Sequence, residues 1–186
     1  MRGAGTGFTI VELLTVLAVT AVLTSIAIPA LSRMNASNRM VGEINQLASA
    51  LRIARSEALK RGGNVEICAA RAATGGTLAC SNWAGWNEGW LVFPAATPDA
   101  PLAAFQGFSG NDTLRSLGGF KRFSFNRYGF STRKDTLVLC PPSADPHRAR
   151  ALLLEPSGRV LAAEDNDGSG IVDDIDGNDV SCPLVN

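Results

Sequence analysis

The chain has 186 residues, enough for one modest domain with an additional segment. Apolar residues make up 46% and charged residues 18%, which argues against a disordered chain. Basic and acidic side chains are equal in number, 17 of each, so the composition does not indicate a strongly basic nucleic-acid binder. The chain has one histidine, so a histidine base for catalysis would have to be His147.

The N-terminal part begins with a short polar segment, residues 1–7, which is followed by a nearly continuous apolar run over residues 8–31. About 20 apolar residues suffice to cross a bilayer as a helix. A secretory signal peptide is the rival interpretation, but this run is longer than a typical signal core and continues without a break into a helical pattern. The sequence therefore predicts a membrane-spanning helix.

Glu12 is the charged residue within this run. A carboxylate in a membrane helix costs roughly 2.5–3.5 kcal/mol at mid-bilayer, less towards the interface, and usually has a partner. Cleavage after Gly7 would place a new amino terminus close to Glu12, where an ammonium group could meet the carboxylate within one subunit or between neighbours. The alternative is a tolerated interfacial glutamate.

The string from Gly7 to Leu14, GFTIVELL, resembles the processing site of type IV pilins and type II secretion pseudopilins. The resemblance implies that a prepilin peptidase cuts between Gly7 and Phe8 and methylates Phe8, and that Glu12 contacts an adjacent subunit during assembly. It implies a single-pass protein of the bacterial inner membrane with its C-terminal domain in the periplasm. From the lipid bilayer, an assembly platform would transfer it into a pilus or pseudopilus among other pilins.

The second half of the helix, residues 32–62, is predicted to be amphipathic, so that one helix has about 50 residues. Pro29 is expected to kink or loosen this helix, or to end the span with a new helix following. Gly62 and Gly63 suit the carboxyl end. Apolar residues recur at spacings of three and four at Ile44, Leu47, Leu51, Ala54 and Ala58, flanked by Val41 and Ala48.

Residues 63–186 are predicted to form a β-rich periplasmic body, because short apolar runs alternate with glycine and proline turns. Five or six strands in an antiparallel sheet are expected. The fold class is therefore α+β, with one long N-terminal helix packed on a small antiparallel β-sheet body. The predicted strands lie at 64–68, 89–93, within 120–130 with a turn near Tyr128, and at 136–140, 151–155 and 159–161.

Segments of the helix end and the body resemble the GspH/FimT family of minor pilins and pseudopilins, and the resemblance covers roughly residues 7–163. It implies a type IV pilin-like fold and a non-enzymatic structural subunit that joins, or primes assembly of, a type IV pilus or type II secretion pseudopilus. The segments are Ala54–Gly62, Trp83–Phe93, Phe125–Gly129 and Ser157–Val160.

DNA uptake is the alternative function, because some members of this family bind DNA through a Gly-Arg-x-Arg element. Here the element reads Gly158-Arg159-Val160-Leu161, so the second arginine is missing. Arg148, Arg150 and Arg159 are the candidate DNA contacts. Scattered solvated charges are the competing interpretation. An enzyme is not expected, since the sequence has no GxSxG, HExxH, P-loop or dinucleotide fingerprint.

Four cysteines follow the membrane span, at Cys68, Cys80, Cys140 and Cys182. An even number in an exported domain favours disulfides, and three connectivities are possible. Sequence proximity and the family pattern favour Cys68–Cys80 and Cys140–Cys182. Zinc is disfavoured because no close cysteine pair occurs.

The C-terminal loop, residues 164–179, carries seven acidic residues and no basic one. Its spacing over residues 165–176 follows a twelve-residue calcium loop with a glycine at the sharp turn. No cofactor is expected to be required. The loop is either a structural calcium site or a hydrated Asp/Gly turn, and the sequence leaves both interpretations open. The predicted calcium ligands are Asp165, Asp167, Ser169, the Ile171 carbonyl, Asp173 and Asp176.

Overall fold

The computed structural model describes residues 9–73, 76–108 and 110–183. The chain divides into two compact units, Met1–Arg39 and Met40–Asn186. Gly7 and Phe8, the predicted cleavage and methylation residues, lie outside the described residues. The helix α1 spans Ile10–Arg61, 52 residues, and so contributes to both units.

Both ends of α1 have local capping interactions. At the start, the hydroxyl of Thr9 accepts a hydrogen bond from the backbone N–H of Glu12 at 3.2 Å. At the end, Gly62 takes a left-handed conformation (φ +61°), and the N–H of Gly63 donates to the Ala58 carbonyl at 3.3 Å. The helix continues through position 29, so it does not end at the proline.

The body has two antiparallel sheets, where the sequence predicted one. In the described residues, β2, β1, β3 and β4 lie side by side and β6 also pairs with β1, while the second sheet has the order β5–β7–β8–β9. Three strands were not predicted from the sequence, namely β2, β4 and β5. The strands are β1 (Val65–Ala72), β2 (Leu78–Cys80), β3 (Gly89–Pro94), β4 (Ala103–Gln106), β5 (Thr113–Ser116), β6 (Arg122–Phe125), β7 (Asp135–Cys140), β8 (Arg150–Leu154) and β9 (Val160–Ala162).

The main hydrophobic core of the Met40–Asn186 unit lies between the second half of α1 and one face of both sheets. The predicted stripe is buried, with Leu47, Leu51, Ala54 and Ala58 at 0% exposure. Val41, expected to flank this stripe, is instead exposed, because Met40 takes the neighbouring buried position at the start of the unit. From the sheets, the core receives alternate residues of β1, β3 and β7 and the two phenylalanines of β6.

The opposite faces of the two sheets are also covered, which explains why β7 is buried at all six positions rather than at alternate ones. On the first sheet, Cys68 and Ala70 of β1 form a second cluster with Leu91 and Phe93, and side chains of β2 pack against this cluster. On the second sheet, residues of β7 and β8 pack under the C-terminal segment in a third cluster. Its buried members are Val138, Cys140, Ala149, Ala151 and Val180.

Each disulfide holds one of these covering segments. Cys68–Cys80 joins β1 to β2, and Cys140–Cys182 joins β7 to the C-terminal segment, with sequence separations of 12 and 42. This is the pairing that sequence proximity favoured.

Candidate functional site

The first part of α1 presents a continuous exposed apolar surface. An 18-residue window has a mean hydropathy of 2.2, and none of it is buried. The helix is therefore long and apolar enough to cross a membrane. Its large exposed side chains are Ile10, Val11, Leu13, Leu14, Val16, Leu17, Val19, Val22, Leu23, Ile26, Ile28, Leu31 and Met34.

The hydroxyl groups in this segment bond to the backbone of their own helix. Thr15 donates to the Glu12 carbonyl at 2.9 Å, Thr24 to the Thr20 carbonyl at 2.9 Å, and Ser25 to the Val22 carbonyl at 2.7 Å. In hydrocarbon an unsatisfied hydroxyl is costly, so these bonds make the polar residues of the span compatible with lipid.

Glu12 differs from these hydroxyl residues. It lies in the first turn of α1 and is exposed, and within the described residues its carboxylate has no hydrogen bond or salt bridge. Negative charge near a helix N-terminus is stabilised by the helix dipole, but the group still lacks a counter-charge among these residues.

Three of the segments that carry the family resemblance meet in the body. Gly158, in the turn between β8 and β9, packs against the backbone of Gly129 in the turn after β6, and Arg55 of α1 lies beside both glycines. The Ser131 N–H donates to the Pro156 carbonyl at 3.0 Å and holds the two turns together. Close backbone approach therefore requires glycine here.

We expect Gly158→Ala to destabilise the chain more than Gly119→Ala. Both glycines have left-handed φ values, +74° and +71°, so each alanine costs roughly 1–2 kcal/mol of backbone strain. At Gly158 the new Cβ would also overlap the Gly129 carbonyl oxygen, whereas no atom of the described residues lies within 4 Å at Gly119. Overpacking adds about 1–3 kcal/mol. Urea unfolding of the two variants measures this difference, and equal losses would contradict it.

The candidate DNA contacts do not form one patch. Arg150 begins β8, whereas Arg159 follows the turn at the far end of that strand, beside Glu155 at 3.8 Å. At about 3.3 Å per residue, four strand residues alone separate these ends by more than 10 Å. Arg148 precedes β8 in a short 3-10 turn, Pro146–Arg148. At this end, His147 Nδ1 lies 3.3 Å from the Gly170 carbonyl oxygen of the acidic loop.

The structure uses several predicted calcium ligands for other contacts. The two carboxylate oxygens of Asp165 accept backbone N–H groups from Gly168 at 2.7 Å and Gly170 at 2.8 Å. Asp176 forms a salt bridge with Lys134, which lies immediately before β7. The arrangement therefore differs from the one that the twelve-residue spacing predicts, because backbone N–H groups already bond to both oxygens of Asp165 and Lys134 pairs with Asp176.

Local hydrogen bonds also set the ionisation of this loop. The backbone N–H of Gly170 is the main group that holds the pKa of Asp165 below its usual range. Burial raises the pKa of Asp174, but the backbone N–H groups of Asn178 and Asp176 outweigh this and the pKa is lowered overall. Both carboxylates are therefore stabilised in their charged form by the loop itself.

A different group of carboxylates comes together in the loop. Residues 172–180 form a tight hairpin. The Asp174 N–H donates to the Asn178 carbonyl at 2.7 Å, and the backbones of Asp173 and Asp179 pair in an isolated antiparallel β-bridge. Carboxylate oxygens of Asp167, Asp173 and Asp179 all lie within 4.8 Å of one another. Asp179, beyond the twelve-residue window, was not predicted, although the turn residues Asp174 to Gly177 were a hairpin signal.

An exposed apolar helix that continues into a helix packed on antiparallel sheets is the architecture of type IV pilin-like subunits. The family model described as "Type II transport protein GspH" matches residues 43–158. The chain therefore belongs to the GspH family of pilin-like proteins, a family of structural pilins and pseudopilins.

Two crystal forms of a type IV minor pilin show the same fold. The type IV minor pilin FimU of Pseudomonas aeruginosa has a TM-score of 0.56 at 20% identity, covering 68% of this chain and 90% of that one. A second crystal form gives 0.52 at 20% identity, covering 66% and 91%. The minor pseudopilin EpsH from the type 2 secretion system of Vibrio cholerae matches more weakly, at 0.47 and 12% identity, covering 69% and 99%. A comparison with curated proteins finds no significant match.

Proposed function

We propose that the protein is a non-enzymatic minor subunit of a type IV pilus or type II secretion pseudopilus. The observation that carries the proposal is the exposed apolar start of α1, where the Glu12 carboxylate has no partner among the described residues. Such a surface is stable only when lipid surrounds it or when it packs against other apolar helices. Before assembly it lies in the inner membrane, with the body in the periplasm, and in a filament it packs against other pilins.

Processing is part of this proposal, and its support is the sequence around Gly7. A prepilin peptidase cuts between Gly7 and Phe8 and methylates Phe8, which leaves a charged amine near Glu12. An assembly platform in the inner membrane then adds the subunit to the filament. An amine and a carboxylate that meet in an apolar environment attract strongly, so their pairing fixes the axial position of one subunit against the next.

Replacing Glu12 tests the proposal. We expect Glu12→Gln to insert into the membrane at least as well as the unaltered protein, because removal of the charge lowers the insertion cost. Incorporation into filaments should fall by about tenfold or more, since loss of about 1.4 kcal/mol is already tenfold. The measurement is the fraction of the protein in sheared or purified filaments relative to the membrane fraction.

Thr15→Val is the matched control, because it removes a hydroxyl that bonds only within the same helix. Its incorporation should match that of the unaltered protein. The intact mass of each membrane-bound variant reports whether cleavage after Gly7 has occurred, and this separates a processing defect from an assembly defect. Equal filament incorporation of Glu12→Gln and Thr15→Val would refute the assembly role.

DNA binding has less support. Several basic side chains of the body already have partners: Arg122 pairs with Glu66 at 2.6 Å, Lys134 with Asp176, and Arg133 stacks over Phe120 at 4.3 Å. A DNA receptor needs several cations on one face, and no arrangement of the described residues favours that function over a structural one.

A further inference from the structure

We propose that the C-terminal loop binds a calcium ion through the carboxylates of Asp167, Asp173 and Asp179. This inference goes beyond the assembly function and does not depend on it. The three groups form a triangle of oxygen ligands, and calcium prefers oxygen ligands. Nitrogen and sulfur ligands, which would favour zinc, do not take part in the triangle.

The spacing of the triangle fits the size of the ion. Calcium holds its oxygen ligands at about 2.3–2.6 Å, so two ligand oxygens on opposite sides of one ion are roughly 5 Å apart at most. The three carboxylates satisfy this limit, since their ligand oxygens all lie within 4.8 Å. Asp167 and Asp179 are exposed, so water can reach the site and complete a coordination shell of six to eight oxygens.

Asp173 supplies a second and independent indication of a ligand. The residue is only 4% exposed, and its carboxylate faces the other two. Its Oδ2 accepts hydrogen bonds from the backbone N–H of Asn166 at 3.0 Å and from Asn166 Nδ2 at 2.8 Å. Its Oδ1 is buried and has no hydrogen-bond partner among the described residues. A buried charged oxygen without a partner is strongly unfavourable, and a bound cation would satisfy it.

The hairpin also places like charges together. Asp173 and Asp179 lie directly opposite each other in an antiparallel bridge, a position where like charges are destabilising. None of the three carboxylates has a salt bridge among residues 9–73, 76–108 and 110–183, and Lys134 of the neighbouring sheet pairs with Asp176 instead. A divalent cation would remove this repulsion.

Ser169 supports the geometry of the triangle. Its hydroxyl donates to Asp179 at 2.8 Å, and its backbone N–H donates to Asp167 at 2.9 Å. Ser169 therefore orients two of the three carboxylates.

The C-terminal segment would transmit binding to the body. Ile175 N–H donates to the Thr136 hydroxyl at 2.9 Å, and Cys182 is bonded to Cys140 of β7. Calcium would thus brace the segment that covers the outer face of the second sheet.

The test uses the full chain in a non-ionic detergent, stripped with a chelator and titrated with CaCl₂ by calorimetry at constant ionic strength. We expect a dissociation constant of roughly 10⁻⁵–10⁻³ M, the range of weaker sensor sites and extracellular modules. The midpoint of thermal unfolding should rise by about 5 °C or more at a hundredfold excess over this constant. An equal response to MgCl₂ would overturn the assignment to calcium.

Two variants distinguish the proposed ligand set from the twelve-residue spacing. Asp179→Asn should weaken calcium binding by about tenfold or more, since it removes one charged ligand but keeps the shape of the side chain. Asp176→Asn should bind calcium as the unaltered chain does. Loss of binding in Asp176→Asn with binding retained in Asp179→Asn would overturn the proposal.

The competing interpretation is that the loop holds the three carboxylates together without an ion. In that case added calcium would produce neither heat nor a shift of the unfolding midpoint, and this result would also overturn the proposal. Asp179 is the residue of choice for the variant because it is exposed, so the substitution leaves the buried contacts of Asp173 with Asn166 in place.

Discussion

Trp90→Ala is expected to lower the free energy of unfolding by about 3–5 kcal/mol, the usual range for truncating a buried tryptophan. Trp90 lies in β3 with 0% exposure. Its ring stacks on Phe105 of β4 at 5.8 Å and meets Phe108 edge-on at 5.5 Å. Alanine would remove these contacts and leave a cavity between two strands and the helix. Urea unfolding of the full chain in mild detergent, followed by circular dichroism, measures the loss.

Trp83→Ala is the matched control, because Trp83 is 86% exposed. This variant should lower the free energy of unfolding by no more than about 0.5 kcal/mol. Trp90→Phe refines the test. The indole N–H of Trp90 is buried without a partner in the part of the chain that the structure describes, and phenylalanine removes that group while keeping a ring. Its loss should therefore be much smaller than that of alanine. Similar losses at positions 83 and 90 would contradict this description of the core.

Removing the Cys140–Cys182 disulfide is expected to cost about 4 kcal/mol, as loop-closure entropy for its separation of 42 residues gives. The double variant Cys140→Ser with Cys182→Ser releases the segment that covers the outer face of the second sheet. The bond restricts the unfolded chain over a long loop, and this accounts for the size of the effect.

Cys68→Ser with Cys80→Ser is the comparison, since its separation of 12 residues gives a smaller value of about 3 kcal/mol. Urea unfolding under oxidising conditions ranks the two double variants. Identical unfolding of the unaltered chain with and without a reducing agent would show that neither bond stabilises the body.

The sequence predicted the elements whose signals are local. The first part of α1 was predicted from the length of the apolar run, and the end of the helix from Lys60, Arg61 and Gly62. Predicted strands such as β3 and β7 correspond to compact apolar runs, because buried strands read as continuous hydrophobic segments. The strand β1 was recognised from alternation over residues 64–68, and β6 from Phe123 and Phe125 at a spacing of two.

The missed strands lack such a signal. β2 has only three residues, and β5, Thr113–Ser116, contains a single large apolar residue, Leu114. They are strands because a neighbour offers a free edge, as β7 does for β5. The division into two sheets depends on the same long-range pairing, and composition and periodicity do not encode it.

The acidic loop shows the same limit at a candidate site. The twelve-residue spacing brought Asp167 and Asp173 into consideration, and the structure places both in the carboxylate triangle. It could not include Asp179, since that residue comes near Asp173 only through the hairpin of residues 172–180. Nor could it show that Asp176 pairs with Lys134, which is 42 residues away in sequence.

The internal hydroxyl bonds of α1 have a consequence for movement between environments. Thr15, Thr20, Thr24 and Ser25 all donate to carbonyls of their own helix, so none depends on water, a headgroup or a neighbouring chain. A helix of this kind can move from one apolar environment to another without breaking a hydrogen bond at these four residues.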